Sequence, residues 1–279
     1  MYNPRGAIDL HTHSDISDGT DTPAELVAKA HELGLAAVAL TDHDTFDGLD
    51  EAQAKADELG FKLIRGVEVS AQHHEVSVHL LGYQVDETHP GLLAAMAFNR
   101  KAKDDRAPQI LAKLAELGMP LTMDEVEEFS IDDSAVQRPH IADAMVAKGY
   151  VANRDEAFAK YLHEEGPAYQ RDIVVELEDA IAQIHAAGGL AVIAHPWARA
   201  SIEVLTAAEF ARLAAEFHLD GIEVDYPDHT PEQRAELHAI AANLGLFTTG
   251  SSDYHGTGKT GHFLGEETTS PDLVRALGL

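Results

Sequence analysis

The sequence predicts an α/β fold with a mostly parallel sheet or barrel that is interrupted by a helical insertion. Two observations support this prediction. Short apolar runs alternate with helical patterns over most of the chain, as in proteins built from β-α-β units. Between residues 94 and 170 the alternation stops and helical periodicity alone remains. We therefore predict a barrel domain from residues 1–93 and 171–279, and a helical insertion domain over residues 94–170.

Seven apolar runs are the predicted strands. They are Ala7–His13, Ala36–His43, Lys62–Ala71, Val76–Tyr83, Ala191–His195, Gly221–Asp225 and Leu246–Gly250. Helix starts are well marked between them, because Thr22–Glu25 and Thr230–Gln233 each combine a capping hydroxyl with proline at the first helical position. Within the insertion, Pro108 is expected to divide two helices.

Composition restricts the function classes. The 279 residues include no cysteine, which excludes disulfides and thiolate metal sites. No apolar run approaches the roughly 18 residues that span a bilayer, and no signal-peptide pattern is found, so we expect a cytoplasmic protein without a membrane partner. The net charge of −28 would repel a long nucleic acid. A substrate related to nucleic acid is therefore expected to be small; an acidic surface that serves solubility alone is the alternative explanation.

Histidines and carboxylates collect where the predicted strands end. In a parallel barrel the carboxyl ends of the strands meet on one face, where active sites are built. Imidazole and carboxylate ligands suit Zn²⁺, Mn²⁺ and Fe²⁺. Nine ligands exceed the needs of one ion, so we predict two or three divalent ions that share a bridging glutamate. The candidates are His11, His13, Asp18, His43, Glu68, His79, His195, Asp253 and His255.

The number of ligands also indicates a reaction type. Metal ions about 3.5–4 Å apart suit phosphoryl displacement, although amide hydrolysis fits the ligand number almost as well. Other histidines are interpreted as structural. The pair His73–His74 is predicted to lie in a loop, and His31, His185 and His238 on helix surfaces.

Five motifs together resemble the polymerase-and-histidinol-phosphatase (PHP) family of metal-dependent phosphoesterases. They are DLHTHSDISDG, LTDHD, GVEVS, AHP and SSDYH, which extend from residue 9 to residue 255. The resemblance implies a distorted (β/α)7 TIM-like barrel with a trinuclear metal site. It further implies three ligand groups with Glu68 as the bridge between the first two: His11, His13 and Asp253; His79 and His195; Asp18, His43 and His255.

Within the family, the helical insertion is similar to that of small bacterial phosphoesterases. These include enzymes that remove phosphate from nucleoside 3′,5′-bisphosphates or AMP, and a relative that trims RNA 5′ ends. Their inserted helices cover the metal site and contact the substrate. By this resemblance Arg138 and His140, in QRPHIADAM, are predicted to bind phosphate. Arg106 and Lys101 are weaker candidates, and Tyr169 could stack on a base.

The expected reaction is hydrolysis of the phosphomonoester of a small nucleotide by a metal-bridging hydroxide. Glu68, His195, Asp253 and His43 are the predicted catalytic residues. Metal-bound water, His43 and His195 all remain candidates for protonating the leaving group. Asp42 and Asp44 are expected to accept hydrogen bonds from ligand imidazoles and so orient them.

Several alternatives remain open at this point. A 5′→3′ exoribonuclease on short 5′-phosphorylated RNA uses the same metal chemistry, but has to bind a longer anion. A histidinol-phosphate phosphatase needs an acidic pocket, which Arg138 and His140 do not suggest. A non-catalytic metal-binding module would bind metal without turnover. An amidohydrolase would require a carboxylated lysine on a strand, and no candidate is found. No apolar stripe or heptad indicates an oligomeric state.

Overall fold

The computed structural model describes residues 6–129, 136, 138–163, 166–170, 173–198 and 200–279. The chain divides into two units. The first contains residues up to Met96 and Val175–Leu279, and the second is Ala97–Val174. The sequence analysis placed these two boundaries between residues 93 and 94 and between residues 170 and 171, three and four residues earlier than the structure does. The first unit carries the sheet, and the second is helical over its described residues.

The strands of the first unit match the seven predicted runs. They are β1 (Ile8–Asp9), β2 (Ala37–Leu40), β3 (Lys62–His73), β4 (Val76–Tyr83), β5 (Val175–Glu176), β6 (Leu190–Ile193), β7 (Gly221–Asp225) and β8 (Phe247–Gly250). Strands β1 and β2 are shorter than predicted at both ends, and β3 extends two residues further. Only β5 was not predicted. Two residues are too few to produce a recognisable alternation of polar and apolar side chains.

In the first unit the α-helices follow the strands in the expected alternation, and the second unit adds consecutive helices. They are α1 (Pro23–Leu33), α2 (Leu49–Leu59), α3 (Pro90–Glu116), α4 (Met123–Glu127), α5 (Arg138–Ala147), α6 (Arg154–Ala157), α7 (Leu177–Ala186), α8 (Ala207–Phe217), α9 (Pro231–Leu244) and α10 (Pro271–Leu277). Both predicted capping boxes are present, at Thr22 and Thr230. In each, the threonine hydroxyl accepts from the third helical N–H, and the third side chain accepts from the threonine N–H.

The sheet is a nearly closed barrel, as predicted. Its order is β1-β2-β3-β4-β6-β7-β8, with β5 added beside β3. The pairings are parallel except those of β4, which runs antiparallel to both β3 and β6. Beyond the two outer strands, Thr12 and Tyr254 form a parallel bridge, and the His13 N–H donates to the Tyr254 carbonyl at 2.8 Å. This contact brings the first and last strands together.

The direction of β4 alters how one predicted ligand reaches the site. His79 lies opposite Ser70 in the antiparallel ladder between β3 and β4. His79 is in the first half of β4, and Glu68 lies inside the long strand β3, whereas the other predicted ligands follow the ends of their strands. Reversal of the strand brings this early residue to the edge where the neighbouring parallel strands end.

The second unit has its own hydrophobic core. Buried side chains from α3, α4 and α5 form it, including Ile110, Leu114, Val126 and Ile141. Pro108 does not divide two helices, because it lies inside the continuous helix α3, so that prediction is wrong. Proline removes one backbone hydrogen bond from a helix interior. Burial of the flanking Ala107, Ile110 and Leu111 in this core compensates for the loss.

Among the described residues, no helix has both the length and the apolar composition that a membrane crossing requires.

Asp9 connects the first strand to the chain beyond the last one. Its buried carboxylate accepts from the Ser252 N–H at 3.1 Å, the Ser252 hydroxyl at 2.5 Å and the Gly265 N–H at 2.8 Å. Burial raises the pKa of Asp9 to about 6, although the hydrogen bonds from Ser252 act in the opposite direction. The carboxylate thus carries a desolvation cost that its donors only partly offset.

We expect Asp9→Ala to lower the free energy of unfolding by about 1–3 kcal/mol at pH 7.5, because buried donors lose their acceptor while the cost of burying a charge is relieved. Denaturant unfolding measures this change. Asp86→Ala is the matched control, since Asp86 is exposed and its carboxylate accepts from the N–H and hydroxyl of nearby Thr88, and it should leave stability nearly unchanged. Equal unfolding midpoints for both variants would contradict this role of Asp9.

Candidate metal centre

All nine predicted metal ligands lie in the first unit, and the fold brings them together. Each belongs to at least one group whose candidate ligand atoms lie within 4.8 Å of one another. Eight are on strands β3 and β4 or in the segments directly after strands, and one is in the loop after β1. That loop residue is Asp18; the others are His11, His13, His43, Glu68, His79, His195, Asp253 and His255.

Glu68 is the centre of the cluster. Its two carboxylate oxygens lie 2.9–3.2 Å from five imidazole nitrogens. These belong to His11, His13, His43, His79 and His195. The side chain is 1% exposed. One buried carboxylate therefore contacts imidazoles delivered by strands from both halves of the first unit.

Asp253 and Asp18 occupy the two sides of the ring of His13. Asp253 Oδ1 lies 3.3 Å from His13 Nε2 and 3.4 Å from His255 Nδ1. Asp18 Oδ1 lies 3.2 Å from His255 Nε2, and its other oxygen lies 3.6 Å from His43 Nε2. Asp253 is buried, whereas Asp18 is partly exposed.

The donor atoms have the spacing of ligands that share ions. Two ligands bound at 2.0–2.1 Å to a tetrahedral ion lie about 3.3–3.4 Å apart. His11 Nε2 and His13 Nε2 are 3.0 Å apart, and both are 3.3–3.5 Å from Asp253 Oδ1. Among the described residues, the buried Glu68 Oε2 has no hydrogen-bond partner. Orphaned, closely spaced nitrogen and oxygen donors of this kind fit divalent transition metals.

The structure groups these donors in four overlapping sets. Two resemble the groups that the sequence implied: His11, His13 and Asp253, and Asp18, His43 and His255 with His13 added. The other two share Glu68. One joins it to His11 and His195, and the other to His43 and His79. His79 and His195 both contact Glu68 Oε1, at 2.9 and 3.1 Å.

The electrostatics of the cluster favour charged carboxylates. Burial would raise the pKa of Glu68, but the imidazoles of His43 and His11 hold it well below its usual range. Burial lowers the pKa of His195, which keeps this imidazole neutral. Burial opposes protonation of His13 too, yet hydrogen bonds to Asp253 and Glu68 raise its pKa to about 10. Because a ligand imidazole must be neutral, metal uptake at His13 displaces a proton.

Glu223, which the sequence prediction missed, positions two of the ligands. It is fully buried in β7, its Oε1 lies 3.0 Å from His11 Nδ1, and its Oε2 accepts from the His195 N–H at 2.8 Å. The Ser251 hydroxyl also donates to it. A carboxylate on the second ring nitrogen fixes the orientation and tautomer of a ligand imidazole. A signal was present, since Glu223 interrupts the apolar run of a buried strand.

Two further residues hold Asp253 through its second carboxylate oxygen, Oδ2. The Tyr226 hydroxyl donates to Asp253 Oδ2 at 2.8 Å, and the Lys259 ammonium donates to the same oxygen at 2.5 Å. Oδ1 is left facing His11 and His13. Lys259 also lies over the ring of Tyr226, 5.3 Å from its centroid. Neither residue stood out in the sequence, because tyrosine and lysine near strand ends are common without a function.

Asp42 and Asp44 act on backbone and hydroxyl groups. Asp42 accepts from the Ser14 N–H at 2.8 Å and from the Ser17 hydroxyl at 2.7 Å, which shapes the loop that carries Asp18. Asp44 accepts from the N–H and the hydroxyl of Ser70 at 3.0 and 2.7 Å. The expected role of Asp42 and Asp44 in orienting ligand imidazoles stays a prediction. For His11 the structure assigns that role to Glu223.

Backbone strain is concentrated at the site. His195 and Asp253 have φ angles of 27° and 50°, in the left-handed region that non-glycine residues avoid. Such conformations persist where the surrounding contacts determine them, and they are typical of functional sites. In the loop after β1, a Cβ on Gly19 would lie 2.5 Å from the His13 carbonyl oxygen, so glycine is required for the turn beyond Asp18.

The predicted substrate-binding residues lie in the second unit. Arg138 begins α5, its guanidinium donates to the Leu162 carbonyl at 3.3 Å and lies 5.5 Å from the centroid of Tyr169. His140 is half-buried on α5, where burial lowers its pKa. Arg106 is half-buried on α3. Lys101, the other weak candidate, is exposed and pairs with Asp105 at 2.5 Å. Their role in substrate binding stays a prediction.

Comparisons with known proteins show a family and relatives that match most of the chain. The model of the PHP domain family matches residues 9–180. A 5′-3′ exoribonuclease from Haemophilus influenzae is 36% identical over 88% of this chain and 89% of its own length. A 3′,5′-nucleoside bisphosphate phosphatase from Chromobacterium violaceum is 34% identical over 97% of this chain and 94% of its own length. A phosphoribosyl 1,2-cyclic phosphate 1,2-diphosphodiesterase from Eggerthella lenta is 33% identical over 89% and 94%.

The fold has a solved counterpart. The crystal structure of a protein assigned as a metal-dependent phosphoesterase from Bifidobacterium adolescentis is 37% identical, with a TM-score of 0.83, and the match covers 99% of this chain and 96% of the other. A nearly closed barrel that gathers nine imidazole and carboxylate groups, together with these matches, defines a metal-dependent phosphoric ester hydrolase. The chain belongs to the PHP domain family. The family predicted from the five sequence motifs is confirmed.

We expect Glu223→Gln to weaken Mn²⁺ binding about 10- to 100-fold, the usual cost of losing a carboxylate behind a ligand imidazole. The substitution keeps the volume of the side chain and one carbonyl acceptor. A titration of chelator-treated protein with Mn²⁺ measures the affinity. Gln84→Glu is the control, because it exchanges the same two residue types at an exposed position. It should bind Mn²⁺ as the unaltered protein does. Unchanged Mn²⁺ affinity in Glu223→Gln would contradict the positioning role.

Proposed function

We propose that this protein hydrolyses the phosphomonoester of a small nucleotide, namely a nucleoside 3′,5′-bisphosphate or an AMP-like compound. The observation that carries the proposal is the placement of the buried Glu68 carboxylate among five imidazoles. This arrangement suits a carboxylate that bridges two ions. Closely spaced ions, when bound, activate water and neutralise phosphate oxygens.

Binding of divalent ions would reverse the sign of the charge at the site formed by the nine residues. Its three carboxylates, Asp18, Glu68 and Asp253, carry three negative charges, and neutral imidazoles add none. Two divalent ions would leave a net charge of +1, and three would leave +3. A phosphate dianion is attracted to such a site even though the whole chain carries −28. A small anion gains this local attraction, whereas a longer polyanion would also bring its negative charges close to the acidic surface of the protein.

The chain's own residues hold this site rigid. Glu223 fixes His11, and Tyr226 and Lys259 fix Asp253, so the donor atoms need little rearrangement. His195, whose pKa is lowered by burial, is neutral near pH 7. It is therefore better suited to ligation than to protonating the leaving group, which favours His43 or a metal-bound water for that step.

Small bisphosphorylated nucleotides are favoured over RNA for two reasons. The relative named for 3′,5′-nucleoside bisphosphates aligns over 97% of this chain, nearly its whole length. The net charge of −28 penalises a longer polyanion. Exoribonuclease activity on short RNA is the competing function, supported by the 36% identical relative.

The remaining parts of the proposal concern the second unit, the metals and the location. We assign the substrate contacts to Arg138, His140 and Arg106, in an insertion that acts as a cap. Mn²⁺, Fe²⁺ and Zn²⁺ are the ions that the donor set suits. A cytoplasmic location, expected from the composition, stays a prediction.

The substrate assignment is tested by a panel. Adenosine 3′,5′-bisphosphate, AMP, a 5′-phosphorylated RNA tetranucleotide and a ribosyl 1,2-cyclic phosphate are incubated with Mn²⁺-loaded protein, and products are identified by chromatography. We expect kcat/KM for the bisphosphate to exceed that for the RNA by at least about tenfold. Asp253→Ala should lose both bound Mn²⁺ and turnover, with activity reduced more than about 100-fold.

Each arm of the panel has a distinct meaning. Stepwise release of mononucleotides from the RNA at the higher kcat/KM would replace the proposal with the exoribonuclease. Preference for the cyclic phosphate would replace monoester hydrolysis with a diesterase reaction. Bound Mn²⁺ without turnover of any compound would indicate a metal-binding module. Full activity in metal-free Asp253→Ala would overturn the metal-dependent mechanism.

Arg138→Ala is expected to raise KM for the bisphosphate about 10- to 100-fold, since a charge-assisted hydrogen bond to phosphate contributes about 1.5–3 kcal/mol. Steady-state kinetics on the panel's best substrate measure KM and kcat separately. Arg154→Ala is the control, because Arg154 is an exposed residue of the same unit that pairs with Asp143. An unchanged KM in Arg138→Ala would limit Arg138 to its contacts with Leu162 and Tyr169.

A further inference from the structure

A second group of possible metal ligands lies at the hairpin between β3 and β4. His73 is the last residue of β3, and the next two residues, His74 and Glu75, have φ angles of 48° and 68°. Two consecutive left-handed residues form the tight turn that suits a twisted hairpin. The turn therefore holds adjacent imidazoles in a defined arrangement rather than in a mobile loop.

This hairpin group is separate from the metal centre. Side chains alternate along a strand, so His73 shares a face with Val69 and Ala71, while Glu68 and Ser70 occupy the other face. Val69 and Ala71 pack in the core cluster that includes residues of α7 and α8. His73 thus faces those helices, and five residues of strand separate it from Glu68 by about 16 Å.

Two helices bring carboxylates to His73. Glu209 of α8 places its Oε1 at 3.0 Å from His73 Nε2, and Glu178 of α7 lies 3.6 Å from Nδ1. The rings of His73 and His74 have centroids 4.1 Å apart. Ligand atoms of His73, His74 and Glu209 all lie within 4.8 Å of one another. The hairpin and α8 thus supply two imidazoles and one carboxylate.

The buried nitrogen of His73 lacks a satisfactory partner. His73 is 2% exposed, and its Nε2 has no hydrogen-bond partner among the described residues. The carboxylate of Glu178 near Nδ1 favours the tautomer with hydrogen on Nδ1, which leaves the buried lone pair of Nε2 without a hydrogen-bond donor among the described residues, 3.0 Å from Glu209 Oε1. A lone pair and a carboxylate oxygen 3.0 Å apart repel each other unless a cation or a proton lies between them.

The surrounding charge also favours a cation. Arg212 pairs with Glu178, Glu209 and Glu216, so one guanidinium faces three carboxylates. These charges sum to −2, and a divalent ion would neutralise them. The Arg212 Nε–H donates to the Glu209 Oε1 that faces His73, so the oxygen that would bind an ion is held in place by the guanidinium.

We propose that His73, His74 and Glu209 bind a divalent transition metal ion of the Zn²⁺ type. Two imidazoles and a glutamate are a ligand set that Zn²⁺ uses, with water at the fourth position. Water can reach the site because His74 is exposed. The separation of 3.0 Å between His73 Nε2 and Glu209 is near the about 3.3 Å expected between two ligands of one tetrahedral ion. The bound ion ties the hairpin to α8, outside the barrel.

The test counts bound zinc in the full-length protein. Chelator-treated protein is titrated with Zn²⁺ in competition with a chromophoric chelator, and the bound equivalents are checked by elemental analysis. His74→Asn removes the exposed imidazole and keeps a residue that tolerates positive φ. Glu75→Asn changes the neighbouring residue of the same turn and is the matched control. Glu209→Gln probes the ligand from the other element.

We expect His74→Asn and Glu209→Gln each to bind one Zn²⁺ equivalent fewer than the unaltered protein, or to bind it at least about tenfold more weakly. Glu75→Asn should bind as the unaltered protein does. All should retain full phosphatase activity, because none of these residues belongs to the barrel site. This readout separates the hairpin site from the proposed function, which the nucleotide panel tests independently.

Equal Zn²⁺ binding by all four proteins would overturn the proposal, and would mean that a proton separates His73 from Glu209. Loss of an equivalent together with loss of turnover would also count against it, since the missing ion would then come from the barrel site. An equal loss in Glu75→Asn would assign the effect to the turn rather than to the imidazole of His74.

Discussion

Burial of the Glu68 carboxylate is the constraint on which the rest of the site depends. An ionised carboxylate removed from water is costly unless charge and hydrogen bonds compensate it. At Glu68 the compensation comes from five imidazoles that the chain delivers from residues 11 to 195. Only a closed arrangement of strands can surround one side chain in this way. Barrel closure and site assembly are therefore one structural requirement, and Asp9 and Tyr254 serve it by joining the first strand to the last.

Around this carboxylate, the supporting residues are as specific as the ligands. Glu223 orients His11 and supports the strained backbone of His195, while Tyr226 and Lys259 turn Asp253 toward the imidazoles. These contacts set the positions of donor atoms before any ion binds, which is how a site favours charge that develops in a reaction. At the hairpin, the buried His73 imidazole likewise lies between two carboxylates. This arrangement points to a further metal ion outside the barrel site.

Much of the fold and of the site could be predicted because their signals are periodic or local. Strand alternation, capping boxes and the pair of histidines two residues apart all follow from the geometry of a single element. Pro108 was predicted wrongly because packing of its apolar neighbours outweighs the local preference of proline. His73 was assigned to an ordinary loop, since neither Glu178 nor Glu209, more than a hundred residues away, is visible from the turn.

The sequence by itself determined the alternating strands and helices, the nine candidate donors and the PHP family, because each is encoded in residue types at short spacings. Tertiary structure decided the rest. It reversed β4 so that His79 reaches Glu68, and it made Glu223 and Lys259 partners of ligands far away in the chain. The period-two pair His11 and His13 shows the difference. Alternation about Thr12, which forms a bridge just after β1, aims both imidazoles one way, but only closure of the barrel places Glu68 and Asp253 within 3.5 Å of them.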